Sequence, residues 1–220
     1  MKMTEQLYES AKEIWAGYHT HPFVRGIADG SLDIERFRFF MVQDYLYLFE
    51  YAKVFALGVV KSDDRVLMKS FAANVDGILN GEMKIHREYM KRLGINEEEA
   101  NSAPMSLANK SYTEYMLSVG FRGGVLEIIT AILACSWSYQ KIGRKIADEN
   151  PAATKHEFYG AWIEGYSGTE YEETNAALIS LTDKLAENCT EEQICRLKDI
   201  FVSCSRYEAM FWDMSWNKEL

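Results

Sequence analysis

Apolar side chains recur at helical spacing along this chain, as in Leu7, Ala11, Ile14 and Trp15, and no segment shows the period-two alternation of a half-buried strand. That pattern confines the fold to packed helices, an all-α multi-helical bundle. Only three prolines interrupt the sequence (Pro22, Pro104 and Pro151), and no Pro/Gly/Ser-rich linker divides it. With 220 residues, 48% of them hydrophobic, the chain can bury one sizeable core, so a single domain over residues 1–220 is expected.

Punctuation places the helices. The first begins near Thr4, and His19 to Gly30 reads as a loop marked by Pro22 and Gly30. A long helical stretch runs from about Asp33 to Val60, with a bend or break expected near its middle. Ser62 or Asp63 can cap a third segment that Gly94 ends, and Asn96 to Pro104 reads as a polar loop. A helix from Leu107 is expected to stop at Gly120, and Gly123-Gly124 opens another that reaches about Asp148. A further helix covers about Ala153 to Tyr166. Thr169 with Glu172, and Thr190 with Gln193, have capping-box spacing and start the last two.

Several classes of function are disfavoured. The net charge is -9 with Lys and Arg scattered, which gives no electrostatic footprint for nucleic acid. The apolar runs Val54 to Val60 and Gly123 to Trp137 fall short of the roughly 18 residues a membrane span needs. Met1 to Gln6 lacks the apolar core of a signal peptide, so a soluble cytoplasmic protein is expected. Cys135, Cys189, Cys195 and Cys204 fit no zinc spacing and suggest no disulfide framework. There is no glycine-rich phosphate loop or dinucleotide fingerprint.

Three positions carry potential chemistry. Asp44 sits inside the aromatic run Phe39 to Tyr51, on one stripe with Tyr47, Leu48 and Tyr51. It is either a wet-edge or arginine-paired carboxylate, or a pocket acceptor for an amine or amidine. Cys135, with Tyr139 one turn on, is either core packing or a nucleophile. Glu208 has Phe211 and Trp212 within a helical turn. It is either a surface glutamate or a desolvated acid whose pKa is raised toward that of a working proton donor. Glu82 and His86, four residues apart, form a possible metal-ligand pair, but the two Glu-x-x-His motifs of a ferritin-like dimetal site are absent.

The chain resembles the TenA / thiaminase II family, the aminopyrimidine aminohydrolases, over essentially its whole length. The resemblance rests on His21 to Leu32, on Phe40 to Tyr47, and on the helix carrying Cys135 and Tyr139. It continues through Trp162 to Ser167 and closes with Tyr207 to Trp212. It implies a haem-oxygenase-like helical bundle, assembled as a homotetramer and working without a cofactor or metal. It implies that Cys135 is the nucleophile, Glu208 the acid/base and Asp44 the anchor of a pyrimidine. Tyr112 and Tyr166 would hydrogen-bond near the ring, while Tyr47, Tyr139 and Phe211 would pack around it. The substrates implied are aminomethyl-aminopyrimidine, converted to hydroxymethylpyrimidine in thiamin salvage, and thiamin itself. Two alternatives stay open: an oxidative enzyme of the same fold using haem, a quinone precursor or two metals through His19, His21 or His86, and a non-catalytic binding or regulatory protein.

Overall fold

The computed structural model describes residues 1–220, and every regular element is helical. In chain order these are α1 (Met3–Thr20), α2 (Pro22–Asp29), α3 (Ile34–Lys61), α4 (Arg65–Asp76), α5 (Met83–Arg92), α6 (Glu97–Ser102), α7 (Leu107–Arg122), α8 (Val125–Glu149), α9 (Gly160–Ser167), α10 (Thr169–Leu185) and α11 (Glu191–Asn217). A π-helical segment, Gly77–Glu82, joins α4 to α5, and a 3-10 turn, Pro151–Lys155, precedes α9. The chain divides into two compact units. The first comprises Met1–Asp33 and Ile129–Asp213, the second Ile34–Ile128 and Met214–Leu220.

In the first unit an aromatic cluster forms the core. Trp15 of α1 packs edge-on to Trp137 of α8 at 5.3 Å and against Phe201 of α11 at 5.4 Å. The Trp15 indole N–H donates to the buried Ser205 hydroxyl at 2.9 Å, so the ring is buried without stranding its polar atom. The segment expected to be a loop contains α2. Pro22 fits the first helical position, the His21 ring accepts from the Phe23 N–H, and Gly30 at φ 77° ends the helix in the left-handed region. An eight-residue helix is too short to show a periodic stripe, which is why its flanking Pro and Gly read as loop signals.

In the second unit α3 is one unbroken helix, without the expected break. Its neighbours come close enough to demand glycine. A Cβ on Gly58 would lie 2.4 Å from the Phe71 ring of α4, and one on Gly120 would lie 2.7 Å from Leu57 Cδ1. Gly120 therefore serves close packing inside α7, which continues to Arg122, rather than ending that helix. The cap of α4 is Asp64, whose carboxylate accepts from the Val66 and Leu67 N–H groups, not Ser62 or Asp63. The expected polar loop holds α6, capped by Asn96. Of the two capping boxes, Thr190 with Gln193 forms, with bonds of 2.8 and 3.3 Å. Thr169 with Glu172 does not: Gly168 takes the cap position, and Thr169 is already helical.

Candidate active site

The residues singled out by sequence fall into two sets, one in each unit. In the first unit α8 carries Cys135, partly exposed, and Tyr139, buried one turn further on. The Ser138 hydroxyl donates to the Cys135 carbonyl at 2.9 Å, and the Ser136 hydroxyl to Asn175 of α10 at 2.9 Å. These bonds account for Ser136 and Ser138, two polar residues on the buried stretch of the helix. Gly143, five residues past Ser138 on α8, lets α9 come close. A Cβ there would meet Tyr166 Cβ at 2.7 Å. The Tyr139 and Tyr166 rings consequently stand 4.9 Å apart, and Tyr139 also meets Trp212 of α11 at 5.1 Å.

Glu208 and Phe211 sit on α11, both buried. The helix is pinned beneath them. The Tyr18 hydroxyl donates to the Ser205 carbonyl, while Trp15 holds the Ser205 hydroxyl. Burial pushes the Tyr18 phenol well above its ordinary range, and the nearby carboxyl of Glu208 and thiol of Cys135 add to that shift. Cys204, one turn before Glu208, is fully buried, and burial together with Glu208 raises its pKa. It is the inert thiol of the two, and Cys135 the accessible one.

The second unit holds Asp44, Tyr47 and Tyr112. Gln43, next to Asp44, is a buried clamp: its side chain donates to the Pro104 carbonyl at 2.9 Å and accepts from the Ser106 N–H at 2.9 Å. Asn109 donates to the Gln43 carbonyl at 2.7 Å, which ties the start of α7 to α3. This clamp brings the Tyr47 and Tyr112 rings to 5.6 Å, with Tyr47 also stacked on Tyr51 at 5.2 Å. The Tyr47 hydroxyl points to Met116 Sδ at 3.8 Å.

Asp44 is buried, not at a wet edge, and its partner is a histidine, not an arginine. His86 Nε2 lies 2.7 Å from Asp44 Oδ2, and His86 Nδ1 lies 3.0 Å from the Glu82 carbonyl. Burial opposes a charge on the ring, but the hydrogen bond and attraction of Asp44, helped by Glu82, outweigh it and leave the His86 pKa raised. The Glu82 carboxyl is pushed upward by desolvation and by Asp44 against the pull of His86, although the residue as a whole is exposed. Both ring nitrogens of His86 are engaged, so Glu82 and His86 do not present themselves as a metal-ligand pair. No group of three or more His, Cys, Asp or Glu side chains is arranged to hold a metal ion. His21 caps α2 and pairs with Asp213 at 3.2 Å, and burial lowers the pKa of both His21 and His19. Sequence reasoning missed the role of His86. The available signal was a buried aspartate with no cation on its own stripe, which requires one from elsewhere. A surface cleft of about 680 Å³ in the first unit is lined by His19, Trp137, Lys141 and Arg144 and by none of the residues expected to bind or attack a pyrimidine.

The all-helical architecture defines a fold class, and the comparisons agree with it. A Shewanella denitrificans domain of unknown function with a heme oxygenase-like fold superposes with a TM-score of 0.74 at 15% identity, covering 99% of this chain and 93% of that one. A TenA homologue protein from P. horikoshii OT3 superposes with a TM-score of 0.90 at 27% identity, covering 99% of both chains. A protein of Helicobacter pylori named aminopyrimidine aminohydrolase is 45% identical over 216 residues, 98% of this chain and 99% of that relative. The model of the TENA/THI-4/PQQC family matches residues 8–218, and the chain belongs to that family.

Proposed function

We propose that the 220 residues work as one domain, an aminopyrimidine aminohydrolase that needs no cofactor and acts in thiamin salvage. Its substrate is a 4-aminopyrimidine bearing a methylene with a leaving group, and it also cleaves thiamin to hydroxymethylpyrimidine and thiazole. The observation that carries the reading is an accessible Cys135 thiol and a buried Glu208 carboxyl in a chain with a full-length relative of that name.

Direct displacement by water at the methylene carbon is slow. The Cys135 thiolate adds to the ring instead, breaking its aromaticity and driving electrons toward the methylene, which expels the amine or thiazole. Water adds to the exposed methylene carbon, and departure of the thiolate restores the ring. Sulfur suits both steps because it attacks and leaves readily. Free cysteine titrates near about 8.5, so the thiolate is generated with help from its surroundings or from bound substrate. Glu208 supplies the proton taken up by a ring nitrogen or the departing amine, within a buried setting that favours proton transfer over hydration. Asp44 accepts from the 4-amino edge. Tyr112 and Tyr166 hydrogen-bond near the ring, while Tyr47, Tyr139 and Phe211 pack around it.

We place the enzyme in the cytoplasm as a homotetramer. Val60, Val66, Leu107 and Phe121 of the second unit are 66–78% exposed, an apolar supply suited to assembly. Light scattering at the mass of four chains supports this, and a monomer contradicts it. The function is tested by incubating the protein with aminomethyl-aminopyrimidine and with thiamin and measuring hydroxymethylpyrimidine. Release from neither substrate refutes the reading.

A further inference from the structure

The pairing of Asp44 with His86 fixes a charge state. The Glu82 carbonyl can only accept, so His86 Nδ1, 3.0 Å away, carries a hydrogen. With Asp44 ionised, its Oδ2, 2.7 Å from Nε2, can only accept, and so takes a second hydrogen from the same ring. A ring donating from both nitrogens is an imidazolium. The two side chains are 13% and 8% exposed, so water does little to screen them. The charged groups that act on this ring are Asp44 from α3 and Glu82 from the π-helical segment. Glu82 is an exposed residue, so water screens its carboxyl far more than it screens the buried pair. Within that pair one positive and one negative charge balance, and the hydrogen bond of Asp44 uses Oδ2, leaving Oδ1 over.

We propose that His86 is a positioning residue for pyrimidine recognition: it fixes Asp44 through Oδ2, balances its charge, and leaves Oδ1 to accept from the 4-amino group, so that the site takes an aminopyrimidine in its neutral form. This rests on the aminopyrimidine reading above. A lone buried carboxylate would draw the protonated ring, because only a cation would offset its charge. With His86 in place, a cationic ring would bring in an unbalanced charge, and the neutral base is preferred. The proton needed for leaving-group departure then comes from the enzyme rather than arriving on the substrate.

The test measures hydroxymethylpyrimidine affinity by calorimetry between pH 5 and 7, for the wild type, His86→Gln and His86→Leu. Aminomethyl-aminopyrimidine turnover is followed in parallel. Wild-type affinity falls as the ligand ring protonates, with a limiting slope of about tenfold per pH unit. Both variants lack the counter-charge, so their affinity rises as pH falls, and KM moves with affinity while kcat changes less. A merely structural histidine would not reverse that sign. Nitrogen-15 spectra of the wild-type ring show both nitrogens protonated at pH 7, with or without ligand. A neutral ring at pH 7, or folded variants with the wild-type slope, overturns the inference while wild-type turnover stands. If neither variant folds, the wild-type slope and the ring spectrum decide it. A wild type that neither binds nor turns over a pyrimidine overturns the functional reading, and this inference with it.

Discussion

Replacing Asp44 with Asn keeps the shape of the side chain and removes its charge. In the wild type His86 is protonated more readily in the folded chain than at its ordinary value of 6.5, because Asp44 outweighs the penalty of burial. The pair's contribution to stability is therefore complete below about pH 6.5, as long as Asp44 stays ionised, and drains away as pH rises through the raised folded value. In Asp44→Asn the ring turns neutral: Nδ1–H still meets the Glu82 carbonyl, and Nε2 accepts from the new amide. What is lost is a charged hydrogen bond between largely buried groups, worth about 1.5–3 kcal/mol. For a chain of 220 residues each kcal/mol shifts the melting temperature by about 2–4 °C, so the variant melts about 3–12 °C lower at pH 6. The gap narrows at pH 9, where the wild type has also lost the imidazolium proton. Melting curves followed by circular dichroism at the two pH values measure it directly. A gap that is equal at both, or wider at pH 9, refutes the ion pair. The same substitution is expected to weaken both pyrimidine binding and turnover, and unchanged kinetics would return Asp44 to a structural role.

Other expectations follow from single contacts. Ser205→Ala strands the Trp15 indole N–H in the core, at a cost of about 1–3 kcal/mol, read in urea melts followed by tryptophan fluorescence. An unchanged midpoint would mean that the indole is satisfied elsewhere. Gly58→Ala drives a methyl group into the Phe71 ring, where a Cβ would stand at 2.4 Å, and destabilises the protein by about 1–3 kcal/mol. Wild-type stability in that variant would show that α3 and α4 separate easily. Gly30→Ala forces a side chain into φ 77° against the His156 ring, and a loss of about 1–2 kcal/mol is expected in the same melts.

Much of the fold was legible because helical spacing of apolar residues survives any tertiary arrangement. Where reading failed, the cause was local. Pro22 and Gly30 bracket a helix too short to show a stripe, and Thr169 yields the cap position to Gly168. Gly120, which reads as a stop, is small because Leu57 is close. The candidate site was legible in a different sense. Asp44, Cys135 and Glu208 stood out as chemistry-bearing residues in apolar surroundings, but their roles came from the family resemblance. The Asp44–His86 bond spans 42 positions, and no periodicity announces a contact between helices at that separation. Glu82 and His86 were visible as a pair and suggested metal, whereas their geometry serves a carboxylate.

The central claim is covalent catalysis by Cys135. Cys135 is partly exposed, so Cys135→Ala leaves little cavity and the variant should fold as the wild type does. The decisive measurement is hydroxymethylpyrimidine release from aminomethyl-aminopyrimidine by the folded Cys135→Ala protein, with product affinity measured alongside. The account predicts no turnover and largely retained binding. Full turnover by the folded variant would contradict it.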